Sequence, residues 1–357
     1  MKILIDIGHP AHVHYFRNFI SIMEKNGHQF LITARDKEVT FQLLSYYNLP
    51  FTSRGKGGKS LIRKFFYILK ADYSIYNVAK IFNADLFLSF GSPYAAQVSW
   101  LLGKPHIAFE DTEHSIVQNR FYIPFSSVIL TPSVFFKSLG KRHLKFNSYM
   151  ELCYLHPNYF SPSKEIFPLL GISPNTKYVI LRFVSWNASH DIGAKGLSLE
   201  YKLKLINRLN TEYRVFISSE SKLPPSLSKY QLKIRPELLH SVLYYAQLYI
   251  GEGSTTASEC SVLGTPNIYV NSLFISYCYE QEKRYGLSYN FNNEDGVIEK
   301  TLELLSISNL KEVWKKRKDI MLTEKIDATS FIVWFVENYP GSVEIMKKNP
   351  DYQNKFK

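Results

Sequence analysis

Short apolar runs of strand character recur along this chain, each followed by a stretch with helical spacing, and this alternation limits what the chain can fold into more than any other feature. Lys2–Ile7 is the first run; from His14 to Glu24, Phe16, Phe19, Ile20 and Met23 then fall at helical spacing, and Gly27 closes the helix. Further runs at Phe30–Thr33, Leu86–Phe90, His106–Phe109 and Val128–Thr131 are separated by helical stretches such as Lys37–Ser45, Ser60–Phe82 and Ala95–Leu102. Near-continuous apolar strands are buried on both faces, the condition of a parallel sheet covered by helices on either side. A second series repeats the pattern at Tyr178–Phe183, Arg214–Ser218, Leu248–Gly251 and Asn267–Val270. At 357 residues the chain is long enough for two cores. The expected fold is therefore α/β, two doubly wound, Rossmann-like domains in tandem. Glu151–Pro168, rich in Pro, Tyr and Ser and lacking either periodicity, is the expected linker, with the boundary near His156 and domains at 1–155 and 156–326. After Asn293 the pattern is helical to the end, and Asp327–Asn338 has no strand of its own to cover.

Charge narrows the partners. Lys and Arg number 43 against 31 Asp and Glu, a formal charge of +12, while 45% hydrophobic and 15% aromatic residues exclude a disordered chain. Such a surplus favours nucleic acid, anionic lipid headgroups or a phosphorylated small molecule. Residues 1–155 carry +8 of it, and six bases lie between Arg54 and Lys70 (Arg54, Lys56, Lys59, Arg63, Lys64, Lys70), with no acid from Val39 to Ala71. Leu61, Ile62, Phe65, Phe66, Ile68 and Leu69 interleave with them. That composition suits an anionic membrane surface or a lipid-linked pyrophosphate, and equally an amphipathic helix with its lysines in water. Without a recognised module or a broad basic stripe, nucleic acid is not an expected partner. Cys153, Cys260 and Cys278 have no paired spacing, so neither disulfides nor structural zinc are expected, and buried thiols in a reducing compartment are. The N-terminus lacks a secretory apolar region and no stretch approaches the ~18 apolar residues of a membrane span, which points to the cytoplasm, with peripheral attachment to the inner face of the membrane as the variant.

In doubly wound sheets, ligands bind beyond the carboxyl ends of the strands. After Leu248–Ile250 comes Gly251-Glu-Gly253-Ser254-Thr255-Thr256-Ala-Ser-Glu259, small and hydroxyl residues opening a helix that runs to Leu263. Unpaired N–H groups and the helix dipole favour a phosphate or diphosphate there, and Glu259, about one and a half turns on, is placed to accept hydrogen bonds from ribose hydroxyls. A plain Ser/Thr-capped helix with a solvated Glu259 fits the same residues. Asp6-Ile-Gly8-His9-Pro-Ala-His12-Val-His14 occupies the first strand-to-helix turn, where a neutral His12 imidazole suits a general base. The three histidines have no carboxylate cluster beside them, so no metal is expected; His9 and His14 are read as structural. Glu110, Asp111, Glu113 and His114 follow a strand directly, as acid/base groups, sugar-hydroxyl ligands or a solvated acidic loop. Arg182, Ser185, Trp186, Asn187, His190 and Asp191, with Ser218, Ser219 and Glu220, follow the first two strands of the second series and suit either a diphosphate or helix caps.

The segment Leu248–Pro266 resembles the donor-binding segment of GT-B glycosyltransferases, above all the N-acetylglucosaminyltransferase of the lipid II step, and equally that of UDP-N-acetylglucosamine 2-epimerases. The resemblance implies a nucleotide diphosphate at Gly251, Gly253, Ser254, Thr255 and Thr256, ribose at Glu259, donor sugar at Gln281 and Glu282, and two domains facing a cleft. It also implies that the last helix, within 327–357, packs back onto the N-terminal domain, which would bring the acceptor with His12 or the Asp111/Glu113 pair as base. The stretch Lys104–His114, followed by Asn119-Arg120 and Ser126–Pro132, is similar to the epimerase pattern. Val117 and Gln118 stand where the epimerase has paired glutamates, and Ser185–Asp191 where it has a His-Arg-x-x-Asn turn, departures that weigh against epimerisation. The resemblance thus implies a metal-independent, cofactor-free glycosyltransferase moving sugar from a nucleotide-sugar, UDP-linked, to a glycan or lipid-linked acceptor in surface polysaccharide synthesis. An epimerase is the alternative, and a saccharide or lipid binder the third reading.

Overall fold

A computed structural model describes residues 1–58, 61–184, 196–219 and 222–357, with 61–66 described in backbone only. Its contacts separate two compact units, Met1–Tyr154 with Lys325–Lys357, and Leu155–Glu324. The first is built on β1 (Lys2–Ile7), β2 (Gln29–Ala34), β3 (Phe51–Ser53), β4 (Leu86–Phe90), β5 (His106–Phe109), β6 (Val128–Pro132) and β7 (His143–Phe146). The second is built on β8 (Tyr178–Phe183), β9 (Arg214–Ser219), β10 (Leu248–Gly251), β11 (Asn267–Val270) and β12 (Ser288–Phe291).

The first sheet runs β3-β2-β1-β4-β5-β6-β7 and the second β12-β11-β10-β8-β9, all neighbours parallel. Each order reverses once, between β1 and β4 in the first sheet and between β8 and β10 in the second. At such reversals the connections leave in opposite directions and open a crevice at the strand ends. Register decides what stands there: Asp6 lies between Thr33 and Ser89, and Arg182 between Gly251 and Ser218.

The apolar runs explain the central strands. Ile3, Leu4, Ile5 and Ile7 of β1 and Val179, Ile180 and Leu181 of β8 are each 0% exposed, and at about 25 cal/mol per Å² their burial drives the layering. Three strands had no apolar run to announce them, Phe-Thr-Ser of β3, His-Leu-Lys-Phe of β7 and Ser-Tyr-Asn-Phe of β12. All three are sheet edges, with one neighbour each. The start of the expected linker is also packed: Leu152, Cys153 and Tyr154 are buried, and the Cys153 carbonyl accepts from Asn18 Nδ2 at 2.8 Å and Thr329 Oγ1 at 2.8 Å. The helix Ala328–Glu337 lies in the first unit, where the Phe331 ring stacks on Phe146 at 5.5 Å and Asn26 donates to Glu337.

Candidate functional site

In the second unit the chain leaves β10 through Gly251–Gly253 and enters the helix Ser254–Leu263. Gly253 is the N-cap, with extended backbone (φ −96°, ψ 121°) and no side-chain cap on the helix. The first-turn N–H groups of Ser254, Thr255 and Thr256 thus have no capping side chain and face outward with the positive end of the dipole. A β-carbon on Gly253 would stand 3.7 Å from Arg182 Nε, so a cation flanks the turn, held by an Nη1 hydrogen bond to Ser218 Oγ at 2.8 Å. Uncapped N–H groups beside an arginine at a switch point are an arrangement that favours a bound anion. Gly251 is glycine for another reason, since a β-carbon there would overlap the buried Tyr249 hydroxyl.

The remaining donor-side residues divide. Glu259 is 5% exposed and its Oε1 pairs with His240 Nε2 at 3.0 Å. His240, a lone histidine in an apolar helix, gave no signal in the sequence. The Ser254 hydroxyl accepts from Tyr277 at 2.9 Å, Thr256 is buried inside the helix, and Ser219 ends β9 half-buried. Gln281 corrects the expectation of sugar contact: it is 0% exposed and its Nε2 donates to Ser258 Oγ at 2.7 Å beneath the helix. Glu282 is half-buried and accepts from Asn290 Nδ2 at 3.1 Å. Glu252, not singled out beforehand, accepts from the N–H groups of Val184 (3.0 Å) and Leu197 (2.8 Å) and pairs with Lys202 at 3.2 Å. Ser185, Trp186, Asn187, His190, Asp191 and Glu220 lie outside the described residues.

In the first unit the main correction concerns Arg54. Expected on an exposed basic face, it is 4% exposed, its Nε on Asp6 Oδ1 at 2.9 Å and its Nη1 on the Tyr67 hydroxyl at 2.6 Å, with Tyr94 stacked 4.6 Å away. Asp6 is 1% exposed on a strand buried from Ile3 onward, and a buried carboxylate needs such a cation; Thr33 and Ser92 supply its other hydrogen bonds at 2.8 and 2.5 Å. Lys56 is exposed, 3.7 Å from Asp36. Lys59 and the side chains of Arg63 and Lys64 lie outside the described residues. Asp72, which the sequence did not flag, faces this cluster, and burial followed by the Asp6 charge pushes its carboxyl up to about 7.

His12 packs against the rings of Phe90 (4.9 Å) and Tyr15 (6.1 Å), which also touch each other (5.2 Å), and its Nδ1 accepts from the Gly8 N–H at 3.3 Å. Burial, then the charges of Lys37 and Arg54, push its pKa down to about 3. A ring accepting at Nδ1 and neutral carries its proton on Nε2. This corrects the base role: the nitrogen left over is already a donor. His9 caps the helix Pro10–Lys25 through the Ala11 N–H, and His14 packs against Tyr154 at 5.1 Å.

The acids after β5 are buried rather than solvated: Glu110, Asp111 and Glu113 are 2%, 8% and 0% exposed. Glu110 shapes the turn, its Oε1 accepting from the N–H groups of Asp111 and Thr112 at 3.1 and 2.9 Å. Burial, then the neighbouring Asp111 charge, push it up to about 8. Asp111 is pushed up to about 7 by burial, opposed by its Thr112 hydrogen bond, with the Glu113 charge adding to the rise. A carboxyl near 7 exchanges protons at neutral pH. Glu113 is fully enclosed, and its charge bears on Asp111. His114, by contrast, is half-buried. Among the described residues no group of three or more His, Cys, Asp and Glu side chains converges as a metal site, and no helix is long and apolar enough to cross a membrane.

Two doubly wound, Rossmann-like domains with polar groups gathered at the switch point of each sheet define a protein of the GT-B architecture. Within it, residues 1–340 match the family described as "Protein of unknown function (DUF354)", and the chain belongs to that family. An uncharacterized protein of Methanocaldococcus jannaschii is 26% identical over 292 residues, covering 79% of this chain and 83% of that one. The fold is similar to UDP-GlcNAc 2-epimerase from Neisseria meningitidis, solved bound to UDP-GlcNAc (TM-score 0.68, 16% identity, 95% of this chain and 100% of that one). It is also similar to the SsfS6 glycosyltransferase of Streptomyces sp. SF2575 (TM-score 0.58, 15% identity, 94% of this chain and 99% of that one).

Proposed function

We propose that this protein is a glycosyltransferase that takes a UDP-linked sugar and moves it to a glycan or lipid-linked acceptor in surface polysaccharide synthesis, on the cytoplasmic side of the membrane. The observation that carries the reading is the uncapped helix start at Gly253 beside Arg182. The N–H groups of Ser254, Thr255 and Thr256 receive the diphosphate, and Arg182 stabilises the charge that builds on it as the glycosidic bond breaks. Glu259, steadied by His240, accepts from the ribose hydroxyls. In the first unit Asp111 takes the proton of the attacking acceptor hydroxyl. The charge of the leaving group is met by protein groups, so the reading assigns no metal and no other cofactor.

A second reading, 2-epimerisation of a UDP-sugar, is favoured by the higher TM-score to the epimerase than to the transferase; a similarity of that degree concerns fold, and fold alone does not choose chemistry. Incubation with UDP-GlcNAc separates the readings. Nucleotide release that depends on added acceptor supports transfer, an isomeric UDP-sugar formed without acceptor supports epimerisation, and binding without either product leaves only a saccharide binder.

A further inference from the structure

Two donors converge on the first turn of the N-terminal unit with no acceptor between them. Gly8 is the hinge: its N–H fixes the His12 ring through Nδ1, and a β-carbon placed on it would stand 3.5 Å from Arg54 Nη2 and 3.8 Å from His12 Cε1. Arg54 spends Nε on Asp6 and Nη1 on Tyr67, while Nη2 has no hydrogen-bond partner among the described residues. His12 Nε2 has none either, and the imidazole packs against the Phe90 and Tyr15 rings with its Nδ1 held by the Gly8 N–H. The groups around this ring are Lys37 after β2, Arg54 after β3, and His9 and Tyr15 on its own helix; the charges that bear on it are both positive. An imidazolium is disfavoured in that field, whereas a neutral N–H beside a guanidinium attracts an oxygen that carries negative charge.

We propose that His12 is a catalytic-site hydrogen-bond donor, through Nε2–H and together with Arg54 Nη2, to a phosphoryl oxygen of the substrate. The inference rests on the reading that the N-terminal unit meets substrate, and it replaces a proton acceptor there with an anion ligand. The oxygen belongs to a phosphorylated acceptor held by the first unit.

Side-chain ¹⁵N NMR of the full chain tests it without turnover, so it stands or falls apart from the transferase reading. The expected spectrum shows His12 as the neutral Nε2–H tautomer from pH ~8 down to ~5, with Nε2 shifting as inorganic pyrophosphate is added. An Nδ1–H tautomer, an imidazolium titrating near 6.5, or a ring indifferent to pyrophosphate overturns the proposal. Repeating the pyrophosphate titration in Gly253→Asp separates this turn from the helix start of the second unit: a His12 response that persists supports an anion held at His12 and Arg54, and one that disappears overturns it. His12→Gln, whose amide nitrogen reaches the place of Nε2, keeps binding within about threefold of wild type, while His12→Asn, which reaches only to Nδ1, loses about tenfold or more. Equal loss in both variants contradicts a donor at Nε2.

Discussion

At the scale of single residues, the proposed function places the acceptor's proton at Asp111. A base acts when deprotonated, so kcat/KM is expected to rise with pH through a step near 7, the value to which burial raises this carboxyl. Because Glu110 adjoins it and is also raised, the step belongs to the pair. Asp111→Asn should lower kcat by about 10²–10⁴ with nucleotide affinity unchanged, measured by steady-state kinetics alongside calorimetric titration; a variant of wild-type rate would remove Asp111 from the chemistry. Residue types were legible in the sequence where strand ends announce them, and the acids after β5 are the clearest instance. Roles were not. The tautomer of His12 is set by one backbone N–H at Gly8, and the burial of Arg54 by a partner 48 positions away, Asp6. Neither follows from composition, which placed Arg54 on a wet basic face. Gln281 failed for a related reason: helical spacing locates a side chain on a face without saying whether that face is covered.

Among elements, the apolar strands at the centres of both sheets were legible nearly to the residue, because burial on two faces demands an uninterrupted apolar run. The edges β3, β7 and β12 escaped because an edge strand satisfies its pairing from one side and tolerates Thr, Lys, Ser and Asn. A second element that periodicity cannot reveal is the fastening at Glu252, whose carboxylate accepts from Val184 and Leu197 and pairs with Lys202. Removing one partner of a buried pair typically costs about 3–5 kcal/mol, so Glu252→Ala should lower unfolding stability by about that amount. Glu252→Gln, which keeps one acceptor, should fall between. Denaturant unfolding checks both, and an Ala variant as stable as wild type would show that this fastening is dispensable.

On the scale of the whole molecule, two sheets each reverse their order once, and each reversal carries the groups from which function is argued: Asp6, Ser92 and Gly8 beside β1 and β4, and Arg182, Gly251 and Gly253 beside β8 and β10. The doubly wound architecture was readable from alternation alone, and the small-residue turn at Gly253 and the arginine at Arg182 from their places after strands; that the two lie side by side was not, because they meet only once the sheet is paired. The proposed function depends most on that turn. Gly253 has a backbone conformation open to any residue, and a β-carbon there meets Val184 Cγ1 at 3.4 Å, an ordinary contact. Aspartate is a favourable N-cap, better than glycine by a few tenths of a kcal/mol, yet its carboxylate would occupy the anion site with the wrong charge. Isothermal titration of UDP into wild type and Gly253→Asp is therefore the most direct test. The expected result is one-site binding by wild type and a loss of about a hundredfold or more in the variant, roughly 2.7 kcal/mol, at equal or slightly higher thermal stability. UDP binding of equal strength in the two proteins, or none in wild type, would contradict a nucleotide diphosphate at this helix.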